Sequence, residues 1–235
     1  MTAPLCPPLV HWWFARQRDA LLMLVRLLIG TYPVRYGQPP EGAANAPDQT
    51  FRTQRIFFSN HASHLDTLAI LAALPREARS WTRPVAARDY WDKSGLRRYG
   101  AQRLLNVVLI DRLHESEGDP LVPVREALKA GSSIIIFPEG TRGSEWLPQA
   151  FKGGLFHLAH EFPHIPLTPV YLENLQRIMP KGAFLPVPLI CKVHFGLDQA
   201  LLPDEDKAAF LLRMREAVID LAPWRRPSAA AEAAA

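Results

Sequence analysis

A histidine and an aspartate follow an apolar run near the middle of the first half of the chain. The run Ile56-Phe57-Phe58 leads into Ser59-Asn60-His61-Ala62-Ser63-His64-Leu65-Asp66. A carboxylate bonded to one imidazole nitrogen fixes the tautomer in which the other nitrogen accepts a proton. The residue types and spacing of His61 and Asp66 therefore predict a general base and its orienting carboxylate at a strand end.

Helix geometry limits how these two side chains can meet. Residues five apart in one α-helix are rotated by about 140°, so His61 and Asp66 would point apart if both were helical. We expect His61 in a turn and Asp66 in the first turn of a helix capped by Ser63. Ser63 and Asp66 also match a capping box, which explains both residues without catalysis. It does not explain His61 and Asn60, which are polar residues at the end of a buried strand.

A second polar cluster follows the apolar run Ser133-Ile134-Ile135-Ile136. It reads Phe137-Pro138-Glu139-Gly140-Thr141-Arg142. Gly140 allows close approach of the backbone, and the backbone N–H groups near it are candidate anion or oxyanion donors. Thr141 offers a hydroxyl, and Arg142 offers a planar fork suited to phosphate. The alternative is an ordinary Pro-Glu-Gly turn with a solvated arginine.

A third apolar run, residues 107–110, ends in Asp111-Arg112. Ligands of open α/β sheets bind beyond the carboxyl ends of the strands. Three polar clusters that each follow an apolar run therefore predict a single site at one edge of a sheet.

The elements that must position these clusters alternate along the chain. Apolar and β-branched runs predict strands over residues 55–58, 84–87, 107–110, 133–137, 167–172 and 189–195. Helices are predicted over residues 65–74, 95–105, 120–130, 149–161 and 205–221. Asp119 and Pro120 predict a helix start, and Gly131 predicts a helix stop. This alternation predicts an α/β fold: a single domain with a mostly parallel or mixed central sheet flanked by helices, plus an N-terminal amphipathic helix.

The composition fits one globular core, because 48% of the 235 residues are hydrophobic and 21% are charged. We predict an N-terminal interfacial helical segment over residues 1–36 and a loop over residues 37–50. A catalytic domain follows over residues 51–223. The Ala-rich tail, residues 224–235, is expected to be disordered.

Charge and cysteine content narrow the classes of partner. The formal net charge of +4 favours an anionic lipid surface, a phosphorylated substrate or an acidic carrier protein. The basic residues are scattered and form no zinc-finger or RNP-type motif, so no nucleic-acid partner is expected. Cys6 and Cys191 are far apart and indicate neither a disulfide framework nor a thiolate zinc site.

The N-terminal apolar block, Leu21 to Ile29, is interrupted by Arg26. A spanning helix needs roughly 20 apolar residues, so this block is too short. The N-terminus lacks a signal-peptide pattern, and we expect a peripheral or monotopic protein on the cytoplasmic face of the membrane. Trp12 and Trp13 among arginines favour an interfacial helix. Packing of the same helix on the protein's own core is the alternative.

Together the clusters resemble the glycerolipid acyltransferase family typified by 1-acyl-glycerol-3-phosphate acyltransferases. The family's His-x4-Asp block matches His61 to Asp66, and its arginine block matches Val108 to Arg112. Its Phe-Pro-Glu-Gly-Thr-Arg block matches residues 137–142 without a change, and its Pro-bearing strand corresponds to residues 165–170. Order and spacing agree from about Phe51 to Gly196.

The resemblance implies acyl transfer from acyl-coenzyme A or acyl-carrier protein to the hydroxyl of a lysophospholipid. The expected acceptor is 1-acyl-glycerol-3-phosphate; glycerol 3-phosphate, another lysophospholipid and a lyso-ornithine-type lipid are alternatives. His61 is implied as the general base and Asp66 as its orienter. The implied phosphate-binding side comprises Arg112, Glu139, Gly140, Thr141 and Arg142. Lys152 matches a family lysine or is a helix-start charge. Neither a metal nor a cofactor is implied beyond the acyl thioester as co-substrate.

Two other classes of protein compete with this interpretation. The first is a metallohydrolase, in which the metal ligands would be His61, His64 and Asp66. Their spacing, His-x-x-His-x-Asp, differs from the His-x-His-x-Asp-His motif of metallo-β-lactamase-like enzymes. A non-catalytic protein that binds lipid or docks on membranes would use the basic N-terminus without any need for His61. A serine hydrolase is disfavoured because the chain has no Gly-x-Ser-x-Gly elbow.

Overall fold

A computed structural model describes residues 12–36, 51–63, 65–91, 104–111, 118–143, 147–178 and 190–225. Several predicted features lie outside these residues: His64, Arg112, the 37–50 loop, most of the 95–105 helix and nearly all of the Ala-rich tail. The structure does not test those predictions.

Helices and strands alternate through the described ranges. The strands are β1 (Tyr32–Arg35), β2 (Ile56–Ser59), β3 (Thr82–Ala87), β4 (Val108–Ile110), β5 (Ser133–Ile136), β6 (Leu167–Glu173) and β7 (Lys192–Phe195). The helices are α1 (Trp12–Leu28), α2 (Asp66–Ala73), α3 (Arg76–Trp81), α4 (Arg88–Trp91), α5 (Val122–Lys129), α6 (Gly154–Glu161), α7 (Leu175–Ile178) and α8 (Lys207–Ile219). A 3₁₀ turn over Pro223–Arg225 follows α8.

Within the described residues, seven strands form one sheet in the order β1-β7-β6-β2-β5-β3-β4. The five strands from β6 to β4 are parallel, β7 is antiparallel to β6, and β1 is parallel to β7. The predicted α/β fold with a mixed sheet flanked by helices is therefore confirmed. The carboxyl ends of β2, β5, β3 and β4 share one edge, where the three polar clusters begin.

The core lies on both faces of the sheet. All four residues of β2 are buried; Phe57 packs on one face and Ile56 and Phe58 pack on the other. Helices α1, α2 and α3 cover the Phe57 face, whereas α5, α6 and α8 cover the opposite face. A parallel strand covered on both faces is a continuous apolar run rather than an alternating one, which accounts for the Ile-Phe-Phe sequence.

Helix α1 presents apolar side chains in two directions. Its inner side packs against α2 and buries residues at helical spacing: Arg18, Leu22, Val25 and, just past its end, Ile29. Its outer side exposes Met23 (76%), Leu24 (50%), Leu27 (81%) and Leu28 (52%). We call these four residues the outer α1 patch. Among the helices described, none has the length and apolar content needed to cross a bilayer.

Strand β1 is the main element that the sequence did not predict. It is an edge strand whose second residue is Pro33, and it pairs with β7 along its whole length. Proline is tolerated at a sheet edge because one side of an edge strand needs no ladder hydrogen bonds. The predicted division placed residues 1–36 outside a domain that starts at residue 51. The structure joins β1 to the sheet of that domain and packs α1 on its core.

Two helices begin later than predicted, because side chains or distant carbonyls accept hydrogen bonds from the backbone N–H groups near their predicted starts. Helix α6 was predicted to start at residue 149 but begins at Gly154, because Glu139 and Pro138 accept the N–H groups of Gln149 and Lys152. Helix α5 begins two residues after the predicted start, because Asp119 accepts the Leu121 N–H in the preceding turn. Helix α3 was not predicted. The predicted stop at Gly131 is confirmed by its positive φ of 82°.

Candidate active site

His61 and Asp66 form a direct hydrogen-bonded pair. His61 lies in the turn after β2, and Asp66 is the first residue of α2. The Nδ1 atom of His61 is 2.8 Å from the Oδ2 atom of Asp66. The aspartate is fully buried, whereas the histidine side chain is 23% exposed. The expected geometry, with the histidine before the helix and the aspartate reaching back to its ring, is confirmed.

The same aspartate oxygen organises the turn. Asp66 Oδ2 also accepts the N–H groups of Ala62 at 2.6 Å and Ser63 at 2.9 Å. The Ser63 hydroxyl in turn accepts the N–H of Leu65 at 3.2 Å. The carboxylate half of the predicted capping box is therefore present. The prediction that Ser63 is the N-cap was wrong, because Leu65 precedes the first helical residue and the serine hydroxyl accepts the Leu65 N–H in the turn before the helix. Because one oxygen binds both the imidazole and the backbone, capping and orientation of His61 are a single arrangement.

Phe137 fixes the plane of the imidazole ring. The two rings are stacked, with centroids 4.3 Å apart and an interplanar angle of 22°. Asp66 on one ring nitrogen and Phe137 against the ring face leave Nε2 as the nitrogen available to an acceptor hydroxyl. In the sequence, Phe137 is only one residue of its motif. Its place directly after the apolar run 133–136 was the available signal, and the pairing of β5 with β2 brings it to His61.

Glu139 links the His61 turn to the loop after β5. Its Oε1 accepts the His61 N–H at 2.7 Å, and its Oε2 accepts the Gln149 N–H at 2.9 Å. Burial raises the pKa of the Glu139 carboxyl, and the two N–H bonds act in the opposite direction. Glu139 was predicted on the phosphate-binding side. With both oxygens on backbone amides and only 3% of the residue exposed, the geometry favours positioning of His61 over substrate contact.

Gly140 allows the loop to close over Lys152. Its φ is 72°, and a Cβ atom at this position would lie 2.8 Å from the Lys152 Nζ atom. The Gly140 N–H donates to the Phe137 carbonyl at 3.1 Å, and the Gly143 N–H donates to the His61 carbonyl at 2.8 Å. These two amides bind the protein's own backbone, so an anion or oxyanion donor near Gly140 would have to be another N–H group of the loop.

Asn60 ties the end of β2 to β6. Its side-chain oxygen accepts the Leu172 N–H at 2.8 Å, and its side-chain nitrogen donates to the Leu172 carbonyl at 3.4 Å. A buried polar residue at a strand end is stable when its groups are bonded in this way. Asn60 thus holds the backbone immediately before His61.

A cavity of about 610 Å³ opens in front of His61 at the carboxyl ends of the strands. Its wall includes the apolar side chains of Val85, Val107, Ile110 and Ile136. It also includes Thr141 and the cationic side chains of Arg142, Lys152 and Arg125. Such a cavity has room for both an acyl chain and an anionic group.

The cations of the cavity wall differ in their pairing. Arg125 is bonded to Asp119 at 2.6 Å and also to Glu161, so its charge is already balanced. Within the described part of the chain, the Lys152 ammonium has no ion pair or hydrogen bond. Lys152 is therefore a better candidate than Arg125 for binding an anionic substrate, and Arg142 shares the cavity wall with it.

The structure brings most of the predicted site residues together. The cavity is lined by His61, Gly140, Thr141 and Arg142. His61 is also hydrogen-bonded to Asp66 through its ring and to Glu139 through its backbone N–H. Arg112 lies outside the described residues. The role of Lys152 is open in the sequence, and the structure places this residue on the cavity wall.

The fold and the site together define an α/β protein with a candidate general base, His61, at the carboxyl ends of its strands. Comparison with known proteins identifies the family. The family model described as Acyltransferase matches residues 41–173, which is more than half of the chain. The protein belongs to this acyltransferase family.

Relatives with assigned names include the chloroplastic 1-acyl-sn-glycerol-3-phosphate acyltransferase LPAT1 of Arabidopsis thaliana. It is 30% identical over 160 residues, which cover 66% of this chain and 41% of the relative. The human 1-acyl-sn-glycerol-3-phosphate acyltransferase alpha is 33% identical over 127 residues, covering 52% of this chain and 41% of the relative. The chain thus spans about two fifths of the length of these relatives.

A solved structure shares the fold. The crystal structure of the 1-acyl-sn-glycerophosphate acyltransferase PlsC from Thermotoga maritima aligns with a TM-score of 0.62 and 20% sequence identity. The alignment covers 87% of this chain and 77% of that chain. At this identity the similarity concerns the fold alone.

Proposed function

We propose that the protein transfers a fatty acyl group from an acyl thioester to the hydroxyl of 1-acyl-glycerol-3-phosphate, giving phosphatidate. The observation that carries this proposal is the 2.8 Å contact of His61 with buried Asp66 at the wall of a cavity with apolar and cationic sides. Membership of the acyltransferase family and the names of its relatives support the choice of reaction and acceptor.

His61 acts as the general base in this proposal. Its Nε2 takes the proton of the acceptor hydroxyl while the hydroxyl oxygen attacks the thioester carbonyl. As the new ester forms, the C–S bond breaks and the thiolate recovers the proton from the imidazolium. Asp66 holds the tautomer and stabilises the imidazolium, and such base assistance is worth about 10² to 10⁴ in rate.

The cationic wall binds the acceptor phosphate. Arg142 supplies a planar fork, and Lys152 supplies a point charge on the wall of the same cavity. Arg112, which the resemblance also assigns to the phosphate, is retained in this role. The apolar wall formed by Val85, Val107 and Ile136 accommodates an acyl chain.

The outer α1 patch docks the enzyme on the cytoplasmic face of a membrane. The two interpretations of the N-terminal helix are compatible, because Leu22 and Val25 pack on the core while Met23 and Leu27 remain exposed. Leucine and methionine side chains on one side of a surface helix are stabilised by burial at the head-group boundary. An enzyme that docks in this way remains peripheral or monotopic.

Substrate identity is tested by incubating the purified protein with labelled acyl-coenzyme A or acyl-carrier protein and a panel of acceptors. The panel contains 1-acyl-glycerol-3-phosphate, glycerol 3-phosphate, neutral and zwitterionic lysophospholipids, and a lyso-ornithine lipid. We expect labelled phosphatidate from the first acceptor. A product from another acceptor alone would reassign the substrate, and no product from any combination would contradict acyl transfer.

A further inference from the structure

A group of arginines lies where α1 meets α3, and it shares no residue with the wall of the catalytic cavity. We call Arg18, Arg26, Arg76 and Arg79 the arginine cluster. A groove of about 360 Å³ runs over it and is lined by Asp19, Met23, Arg76 and Arg79, together with Arg16. Among the described lining residues, Asp19 is the one carboxylate and faces three arginines.

Asp19 is shared between two guanidinium groups. Its Oδ2 is 2.9 Å from the Arg76 Nε, and its Oδ1 is 3.5 Å from the Arg79 Nη1. Arg79 also donates to the carbonyls of Ala72 and Leu74 at the end of α2. Within the described ranges, one carboxylate and two backbone carbonyls accept hydrogen bonds from a cluster that carries four positive charges.

Two guanidinium nitrogens of the cluster are buried without an acceptor. The Nε atoms of Arg18 and Arg79 have no hydrogen-bond partner among the residues that the structure describes, and Arg18 is only 4% exposed. Burial lowers the pKa of both arginines, and the neighbouring positive charges lower it further against the effect of Asp19. Charged groups in such surroundings are stabilised by an added anion with several oxygen acceptors.

The groove adjoins an apolar surface that faces away from the protein. Met23 lines the groove and is 76% exposed, and Leu27 lies one turn further along α1. A free anion would satisfy the arginines but would leave these side chains in water. A lipid offers phosphate oxygens to the arginines and acyl chains to Met23 and Leu27, so the charge and the apolar surface together select a membrane lipid.

We infer that the arginine cluster binds the phosphate head group of an anionic membrane lipid at a site separate from the catalytic cavity. The inference rests on the proposed docking of α1 and not on acyl transfer. Arg76 and Arg79 belong to α3, whereas the outer α1 patch belongs to α1. Contact of both elements with one bilayer fixes the orientation of the enzyme on its surface.

The test compares vesicle binding by the full chain with two single-charge variants. Arg76→Gln removes a 79% exposed member of the cluster, and Arg225→Gln removes a 53% exposed arginine that follows α8 on the opposite face of the sheet. Each of these arginines forms an ion pair with one carboxylate, Asp19 or Glu216, so the control is matched in charge and pairing.

Binding is measured by flotation with neutral phosphatidylcholine vesicles and with phosphatidylcholine vesicles that contain phosphatidylglycerol. We expect Arg76→Gln to lose about fivefold in affinity for the anionic vesicles, from roughly 1 kcal/mol per cation near a charged surface. Affinity for neutral vesicles should not change, and Arg225→Gln should retain wild-type binding to both. Equal losses in the two variants, or no loss in Arg76→Gln, would overturn the site.

Two further results separate this inference from the other proposals. Acyl transfer to detergent-dispersed acceptor should be unchanged in Arg76→Gln, because the variant lies outside the catalytic cavity. Inorganic phosphate should displace the wild type from anionic vesicles more strongly than chloride at equal ionic strength, because it competes with the lipid phosphate for the arginine cluster. This difference should shrink in Arg76→Gln. Equal displacement by the two salts, or a difference of unchanged size in Arg76→Gln, would overturn the head-group site. Failure of the wild type to bind either vesicle would overturn membrane docking itself.

Discussion

Glu139 holds His61 through the backbone: its Oε1 accepts the His61 N–H at 2.7 Å, although the two residues are 78 positions apart in the chain. The same carboxylate binds the Gln149 N–H through its other oxygen. The turn that presents the base is thereby joined to the loop that presents Thr141 and Arg142. The positions of the base and of the proposed phosphate ligands depend on one buried side chain.

Replacing Glu139 by Gln tests this positioning role. An amide offers an NH₂ group to one of the two backbone N–H groups that Glu139 accepts, so one hydrogen bond becomes a donor–donor contact. We expect the free energy of unfolding to fall by about 1–3 kcal/mol and kcat to fall with little change in the acceptor KM. Glu126→Gln, on the exposed side of α5, is the control. A raised KM at unchanged kcat would instead place Glu139 on the phosphate.

The pH dependence of stability provides a second test of Glu139. Its pKa is raised above 4.5, so the folded state holds this proton more tightly than the unfolded state does. As the pH rises from below 4.5 through the folded-state pKa, the wild type should lose stability relative to Glu139→Gln, which does not titrate there. Urea unfolding of both proteins from about pH 4 to about pH 7 measures the difference. A wild type that gains stability over the variant in this range would contradict the raised pKa.

Gly140→Ala should disturb the site through Lys152. The new Cβ would lie 2.8 Å from the lysine Nζ, and the positive φ adds about 1–2 kcal/mol of backbone strain. Gly118→Ala is a matched control, because Gly118 also has a positive φ but an added Cβ there would meet no atom within 4 Å. Both variants should lose stability, measured by thermal unfolding, whereas only Gly140→Ala should lose acyl transfer. Equal activity in the two variants would argue against a role for the Gly140–Lys152 contact.

Arg142→Ala tests the proposed phosphate site. Loss of one charge-assisted hydrogen bond of about 1.5–3 kcal/mol should raise the KM for 1-acyl-glycerol-3-phosphate by about tenfold or more. Arg125→Ala serves for comparison, because that arginine lines the same cavity and its charge is balanced by two carboxylates, Asp119 and Glu161. Steady-state kinetics with a fixed acyl donor give both values. If Arg125→Ala raised the KM more than Arg142→Ala, the phosphate would bind at Arg125 rather than at Arg142.

The alternating elements and the His61–Asp66 geometry could be predicted because both depend on local pattern. Buried parallel strands are continuous apolar runs, and helix rotation alone requires His61 to precede the helix that Asp66 begins. Strand β1 could not be predicted in this way. Its four residues include a proline, and its place in the sheet depends on pairing with β7, which lies near the other end of the chain.

The role of Glu139 also required the tertiary structure. In the sequence it is one polar residue of a motif, and a carboxylate beside an arginine is readily assigned to a substrate site. Only the adjacency of β2 and β5 brings it to the His61 N–H. The late start of α6 has the same origin, because Glu139 and Pro138 take amides that a helix from residue 149 would otherwise use.

The most direct test of the proposed function is acyl transfer by His61→Ala, measured with labelled acyl thioester and 1-acyl-glycerol-3-phosphate. We predict that kcat falls by about 10² to 10⁴, while thermal unfolding and vesicle binding stay at wild-type values. His160→Ala, an exposed histidine of α6 outside the cavity wall, should retain full activity. Turnover by folded His61→Ala within a few-fold of wild type would contradict the assignment of His61 as the general base.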